Sequence, residues 1–308
     1  MSGIERAPKV TIGLPVYNGE DYLESSLSSM LALDYSNLEI VISDNASVDA
    51  TQNICESVDT RNHAIRYSRN EVNTGGFKNN NRVIDLADGD YFLLAGHDDL
   101  REPTQVSRCV AILEAQPELA MCYCATVYID AQGDRIDGLD EHVVDLGNAD
   151  PVERFAAAIS LDHKVEAIYG IYRMSAIQNI RFGLYPDSDR VFVAEAALNG
   201  PFHRLDEPLF FRRQHSNKST ARYKNRYDRT AWGRPGSGHD FAIPHLEQLF
   251  GLFRAVLRSR LSTGEKLRSL GKVFRWAFRY QRMLWSDVEH VLRSIVRRTL
   301  IFLRLKKA

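Results

Sequence analysis

In the stretch NTGGFKNNNRVIDLADGDYFLLAGHDDL, residues 73–100, the reading changes once. Residues 77–86 read as a helix. DYFLLAG (90–96) then reads as a strand, a run of apolar residues that stops at Gly96. His97, Asp98 and Asp99 follow at once. Two adjacent carboxylates repel each other, and they are costly at the end of a buried strand unless a positive group sits between them. Helix, strand and charged terminus together imply a sheet whose strand ends face a ligand.

The segments upstream have the same grammar. VTIGLPVY (10–17), LEIVISDN (38–45) and AIRYSRN (64–70) read as strands. Between them, 20–33 carries Leu23, Leu27, Met30 and Leu31 at helical spacing, and Asp49 opens a second helix that reaches about Val58. Strand–helix alternation predicts an α/β fold, a Rossmann-like and mostly parallel sheet flanked by helices. Ligands of such sheets sit at the carboxyl ends of the strands. Those ends read Pro15-Val16-Tyr17-Asn18-Gly19, Ser43-Asp44-Asn45-Ala46-Ser47, Asn70 with Asn73-Thr74-Gly75-Gly76, and His97-Asp98-Asp99. Any one of them is ordinary turn chemistry; all four at one sheet edge are better read as a binding site.

Bulk properties narrow the class. A chain of 308 residues with 44% hydrophobic composition supports a sizeable core. Four cysteines without CxxC spacing argue against a zinc site. The N-terminus has no signal-peptide core, and no apolar run approaches the roughly 20 residues of a spanning helix. A reducing, cytoplasmic setting is expected, with any membrane contact peripheral at the inner face. No GxGxxG follows the first strand and no GxxxxGK[ST] occurs, which argues against dinucleotide dehydrogenases and P-loop enzymes. The net charge of -1 hides an asymmetry: 15 Lys+Arg against 3 Asp+Glu from residue 250 onward, but 23 against 35 before residue 231.

PVYNGEDYL, ISDNASVDAT (42–51) and the stretch 73–100, in that order, resemble the family 2 glycosyltransferases of the GT-A fold. The resemblance covers residues 8–130 strongly and 165–220 more loosely. It implies transfer of a sugar, with inversion, from a nucleotide-diphosphate donor, of which UDP-linked sugars are the first candidates, to an acceptor hydroxyl. It places Pro15, Tyr17 and Asn18 against base and ribose, with Asp44 accepting from the base. Asn45, Gly75, Arg82, His97, Asp98 and Arg213 join them as donor-binding candidates. Asp98 falls on the last position of the family's DxD motif, so the positive partner of Asp98-Asp99 is expected to be Mg²⁺ or Mn²⁺. His215, in a segment similar to the family's Arg-x-His, is a third candidate metal ligand. Gly96 stands where the first DxD carboxylate is expected, a departure that leaves the ion fewer protein ligands or brings in Asp99. The alternative for Asp98 and Asp99 is capping of the helix entered through Pro103.

In the acceptor half, 120–136 reads as a strand and a hairpin turn at Gln132-Gly133, and 152–161 as a helix. Ser188-Asp189 stands where the family opens a helix with Glu-Asp, which makes Asp189 the candidate catalytic base. Helix-terminus charge is its alternative role, and Asp187 and Glu195 are its rivals. EPLFFRRQHSNKST (207–220) reads as a strand ending in donors, with Arg212 or Arg213 suited to phosphate. The expected organisation is a catalytic domain at 1–220 (donor half 1–130, acceptor half 131–220), a linker or flap at 221–245, and a basic amphipathic tail at 246–308.

In that tail, Arg268, Lys272, Arg275, Arg279 and Arg282 form one stripe, and Leu267, Leu270, Phe274, Ala277 and Phe278 fill another face. Such helices suit an anionic membrane surface through residues 265–305, or docking on the body or on a second copy of the chain. The expected partners are therefore a nucleotide-sugar donor and a glycan or lipid-linked acceptor, in polysaccharide, cell-surface glycan or glycolipid synthesis; nucleic acid is not among them. Two rival functions stay open: a nucleotidyltransferase, disfavoured by the acidic first loop, and a non-catalytic module that binds nucleotide sugars, favoured by Gly96.

Overall fold

The computed structural model describes residues 7–59, 64–139, 143–162, 164–236 and 240–305. Its strands are β1 (Val10–Val16), β2 (Leu38–Asp44), β3 (Ile65–Arg69), β4 (Tyr91–Leu94), β5 (Leu100–Arg101), β6 (Met121–Ile129), β7 (Ile171–Arg173) and β8 (Phe202–Arg213). They form one sheet in the order β3-β2-β1-β4-β7-β6-β8-β5. The first four are parallel, β7 runs antiparallel to both β4 and β6, and β8 runs parallel to β6 and antiparallel to β5. The α/β sheet expected from the sequence is therefore present.

Its helices are α1 (Leu23–Leu31), α2 (Thr51–Asp59), α3 (Gly76–Leu86), α4 (Gln105–Ala115), α5 (Pro151–Ile159), α6 (Met174–Ile177), α7 (Ser188–Leu198), α8 (Ser219–Arg222), α9 (Arg226–Gly233), α10 (Pro244–Arg258), α11 (Thr263–Arg279) and α12 (Gln281–Leu305). The two-residue period of the strands sorts the core into two layers. Val10, Ile12, Leu14, Tyr91 and Leu93 meet α1, α2 and α4 on one face. Phe92 and Leu94 meet α3, α5 and α7 on the other. Gly13 permits that second layer, since a Cβ there would lie 2.7 Å from the Phe92 ring and 2.9 Å from Val83. All four cysteines are free and buried.

The segment 221–245, read from sequence as a linker or flap, contains α9, and the first turn of α9 is fastened to the body. Arg226 and Arg229 pair with Asp187, and Arg226 Nη1 donates to Gln248 Oε1 at 3.0 Å. On α12, the fully buried Asp287 accepts from the Tyr227 hydroxyl at 3.1 Å and from the backbone of His245 and Leu246 at 2.8 and 2.9 Å. One carboxylate thus caps the Pro-initiated α10 and ties it to both α9 and α12.

The C-terminal helices dock on the body. Leu252, Val256, Val273 and Trp276 enter the core beneath α5 and α7, and Trp276 Nε1 donates to Ile159 O at 2.8 Å. The basic stripe divides: Arg268, Lys272 and Arg279 pair with Asp150, Glu153 and Asp162 at 2.9–3.0 Å. The expected single apolar face divides too. Leu270 and Ala277 pack inward, while Leu267, Phe274 and Phe278 are exposed. Among the described residues no helix is long and apolar enough to cross a membrane.

Candidate functional site

The strand-end loops are stitched to one another before they meet any ligand. Asn18, at a left-handed φ of 51°, donates its backbone N–H to Ser47 Oγ and accepts from Val48 N, both at 2.9 Å. Gly19 N donates to Thr51 Oγ1 at 2.8 Å. Asn45 is bridged to Asn73 and to Thr74, and the buried Asn79 of α3 reaches back to Ser43. Asn favours such turns because its amide both accepts and donates locally.

These loops border one cleft of about 760 Å³. Its lining includes Pro15, Tyr17, Asn18 and Asn45 from the first two loops, and His97, Asp98, Arg212, His215, Lys218 and Arg222. Of the sequence candidates, Pro15, Tyr17, Asn18, Asn45, His97, Asp98 and His215 come together here.

The other four donor-binding candidates stand elsewhere, for physical reasons. Asp44, expected to meet the base, is fully buried: it accepts from Ser47 N at 2.9 Å and the Tyr67 hydroxyl at 2.8 Å, and pairs with Arg69 at 3.2 Å. Its lone pairs are already used in shaping the second loop. Arg82 donates to Ser68 Oγ rather than reaching the cleft. Gly75 is a backbone device at φ 89°, where the α9 segment comes so close that a Cβ would collide with Gly233 O. Arg213, expected on the diphosphate, is buried behind the carboxylates and donates to the carbonyls of Asp98, Asp130 and Ala131. Its neighbour Arg212 faces the cleft, held by Glu166 Oε1 at 2.7 Å and lying 5.3 Å over the Tyr169 ring. Burial works against the Arg212 charge, but Tyr169, Glu166 and Asp99 around it raise its pKa above the ordinary value.

The question raised by Asp98-Asp99 has a divided answer. Asp98 Oδ2 stands 2.8 Å from His215 Nε2 and 3.9 Å from Lys218 Nζ. Burial would raise the Asp98 pKa, yet the His215 hydrogen bond and the charges of His97 and Lys218 hold it well below the carboxylate range. Asp99 is nearly inaccessible, accepts from Arg213 N at 3.0 Å, and is pushed up to about 6 by burial and by Asp98. It is a buried brace rather than the cleft-facing metal ligand expected from sequence. Gly96 makes the arrangement possible, because a Cβ there would lie 2.7 Å from Asp99 Oδ2 and 2.8 Å from Asp98 Oδ1. No three His, Cys, Asp or Glu side chains among the described residues are grouped to hold a metal. Asp98 Oδ2 and His215 Nε2 are bonded to each other at 2.8 Å, so a divalent ion completed by phosphate and water would have to replace that bond, with Asp98 supplying the oxygen ligand that hard ions prefer.

Asp189 lies in the first turn of α7, its Oδ1 accepting from Arg190 N at 2.8 Å. Burial and the charge of Asp187 raise its pKa. Asp187 itself has a left-handed φ of 61° at the helix entrance. Asp189 is not among the residues that line the cleft, although the charge of Arg212, which does line it, opposes the rise in the Asp189 pKa. Glu195 sits farther along α7, where burial raises it and Arg258 and Arg254 oppose the shift.

Sequence reasoning did not single out Tyr169, Lys218, Tyr223 or Trp232, all of which line the cleft. Trp232 packs edge-on to Phe77 at 6.4 Å and lies 5.8 Å from Tyr223. The aromatic residues in a polar, aperiodic segment were the available signal.

A family model described as glycosyl transferase family 2 matches residues 11–166. The abequosyltransferase RfbV of Salmonella typhimurium is 34% identical over 116 residues, 37% of this chain and 35% of that protein. The putative glycosyltransferase EpsE of Bacillus subtilis is 32% identical over 108 residues, 35% of this chain and 39% of its own. The alignments thus span little more than a third of these relatives' length. The structure of S. aureus TarS 1–349 with UDP-GlcNAc superposes with a TM-score of 0.67 at 16% identity, over 93% of this chain and 81% of that one. Mannosyltransferase PcManGT from Pyrobaculum calidifontis, with GDP-Man and Mn²⁺, gives 0.54 at 14% identity, over 95% and 76%. The sheet order, the loops gathered at its carboxyl edge and the family match over half the chain lead to one conclusion: this chain belongs to the family 2 glycosyltransferases.

Proposed function

We propose that the chain transfers a sugar from a nucleotide-diphosphate donor, UDP-linked in the first instance, to an acceptor hydroxyl with inversion at the anomeric carbon. The observation that carries this reading is the polarity of the cleft. Among its lining residues, Pro15, Tyr17, Asn18 and Asn45 suit base and ribose, and Arg212, His215, Lys218 and Arg222 suit a diphosphate, beside the acidic Glu20, Asp21 and Asp49. The solved structures that resemble it include one with UDP-GlcNAc and one with GDP-Man and Mn²⁺, which supports a nucleotide-sugar ligand.

Asp189 takes the acceptor proton as the hydroxyl attacks, its raised pKa bringing it closer to the working range of a base. Arg212 and Lys218 stabilise the charge that collects on the leaving diphosphate. Glu166 holds the Arg212 guanidinium in place. Asp98 and His215 would hold Mg²⁺ or Mn²⁺, which supplies further neutralisation of that diphosphate when bound. The acceptor is a glycan or lipid-carried hydroxyl, and the reaction belongs to the building of a polysaccharide, surface glycan or glycolipid at the inner face of a membrane.

The test is product analysis with a panel of nucleotide sugars in the presence of Mg²⁺ or Mn²⁺. Release of nucleoside diphosphate, by transfer or by slow hydrolysis, is expected. Release of pyrophosphate from a nucleoside triphosphate would replace this reading with a nucleotidyltransferase. Donor binding without turnover of any kind would make the chain a binding module.

A further inference from the structure

We propose that the outer face of α11 and α12 seats on an anionic lipid bilayer. Twelve of the eighteen large hydrophobic side chains exposed among the described residues lie between Phe250 and Leu303. Leu267, Phe274, Phe278 and Trp285 are each more than 60% exposed. Exposed apolar side chains recurring along successive helices call for a partner. Neither helix is apolar enough to cross a membrane, so the geometry is that of helices lying in the interface.

The charges beside this face select its occupant. Arg275 lies between Phe274 and Phe278 in sequence, and Arg282 precedes Trp285; both are exposed and neither pairs with a carboxylate among the described residues. The same face of a second copy offers them few carboxylates, since the chain from residue 250 onward has 15 Lys+Arg against 3 Asp+Glu. Anionic headgroups satisfy the same residues, while the aromatic rings enter the headgroup boundary. Of the basic stripe read from sequence, Arg268, Lys272 and Arg279 are occupied by Asp150, Glu153 and Asp162, which leaves Arg275 and Arg282 for the headgroups. The lipid-facing surface is the apolar ridge, with Arg275 and Arg282 along it.

α12 is also linked to the cleft through its buried side. The Tyr227 hydroxyl of α9 bonds the fully buried Asp287 of α12, and the α9 residue Trp232 lines the cleft. The surface itself stands whether or not the proposed transfer is correct, and its test involves no turnover.

The experiment is vesicle sedimentation with the full chain. Phosphatidylcholine vesicles with and without phosphatidylglycerol are compared. The chain should sediment with the anionic vesicles, release at high salt and stay in solution with the neutral ones. The triple variant Phe274→Glu, Phe278→Glu, Trp285→Glu should remain in the supernatant and still melt cooperatively, since the three side chains are exposed and only the edge contact of Phe274 with Phe253 is lost. Arg275→Ala and Arg282→Ala should each weaken partition about fivefold. A parent chain that stays in solution with anionic vesicles overturns the proposal. So does a triple variant that sediments like the parent. Sedimentation velocity supplies the remaining outcome: a parent dimer that the triple variant dissolves would make this face a contact between copies and overturn the lipid assignment.

Discussion

Single side chains decide the chemistry here, and neighbours only one position apart do different things. Asp189→Asn should retain donor affinity and lose about 10²–10⁴ in transfer rate, measured as nucleoside diphosphate released against calorimetric binding. The base must be ionised to act, so kcat/KM should fall as pH drops through its pKa. That pKa is raised by burial and by Asp187, which sets the acid limb above the ordinary carboxylate range. Asp187→Asn removes one raising charge and should move the limb to lower pH; an unmoved limb assigns it to another group. Gly96→Asp restores the family's first carboxylate in name only. Its Cβ would strike the Asp98 and Asp99 carboxylates, and nucleoside diphosphate should bind about tenfold more weakly, on the scale of one lost charged hydrogen bond. Tighter binding in titration calorimetry would show that the pocket can reopen around a DxD. The sequence made Asp98 and His215 legible because charge at a strand end needs a partner. It did not separate Asp98 from Asp99 or Arg212 from Arg213. Which member of each pair faces the cleft depends on packing against elements more than 100 positions away, as in the Arg213 N to Asp99 Oδ1 bond.

At the level of elements, the donor half was readable because its strands and helices alternate with clean periods and each ends in turn residues. Apolar residues in the C-terminal helices were readable as amphipathic, but not the direction each would face. A helix with apolar residues on more than one side can bury any of them, and the choice here falls on Val273 and Trp276 against α5 and α7. Trp276→Ala should destabilise the protein by about 3–5 kcal/mol in chemical denaturation, through lost volume and the orphaned Ile159 carbonyl. Arg279→Ala removes an exposed pair with Asp162 and should cost less than about 1 kcal/mol. Equal costs would mean that α11 is held by charge and not by its buried indole.

For the molecule as a whole, the tail is part of the body's core. Leu252, Val256, Val273 and Trp276 share one cluster with Phe155 and Phe192. The chain should therefore unfold in a single calorimetric transition, and one truncated after residue 243 should lose that transition and aggregate, since it would expose the cluster. Two separable transitions would restore the picture of an independent tail. The Asp287 joint bears on the order in which the protein is made. A chain grows from its N-terminus, and domains fold as they emerge. The cleft loops from Pro15 to Asn45 are synthesised first. The α9 segment that carries Trp232 is tied to α12 only when residue 287 has been added. A nascent chain thus carries a half-built cleft until Asp287 emerges, and the cleft is complete only from that point of translation.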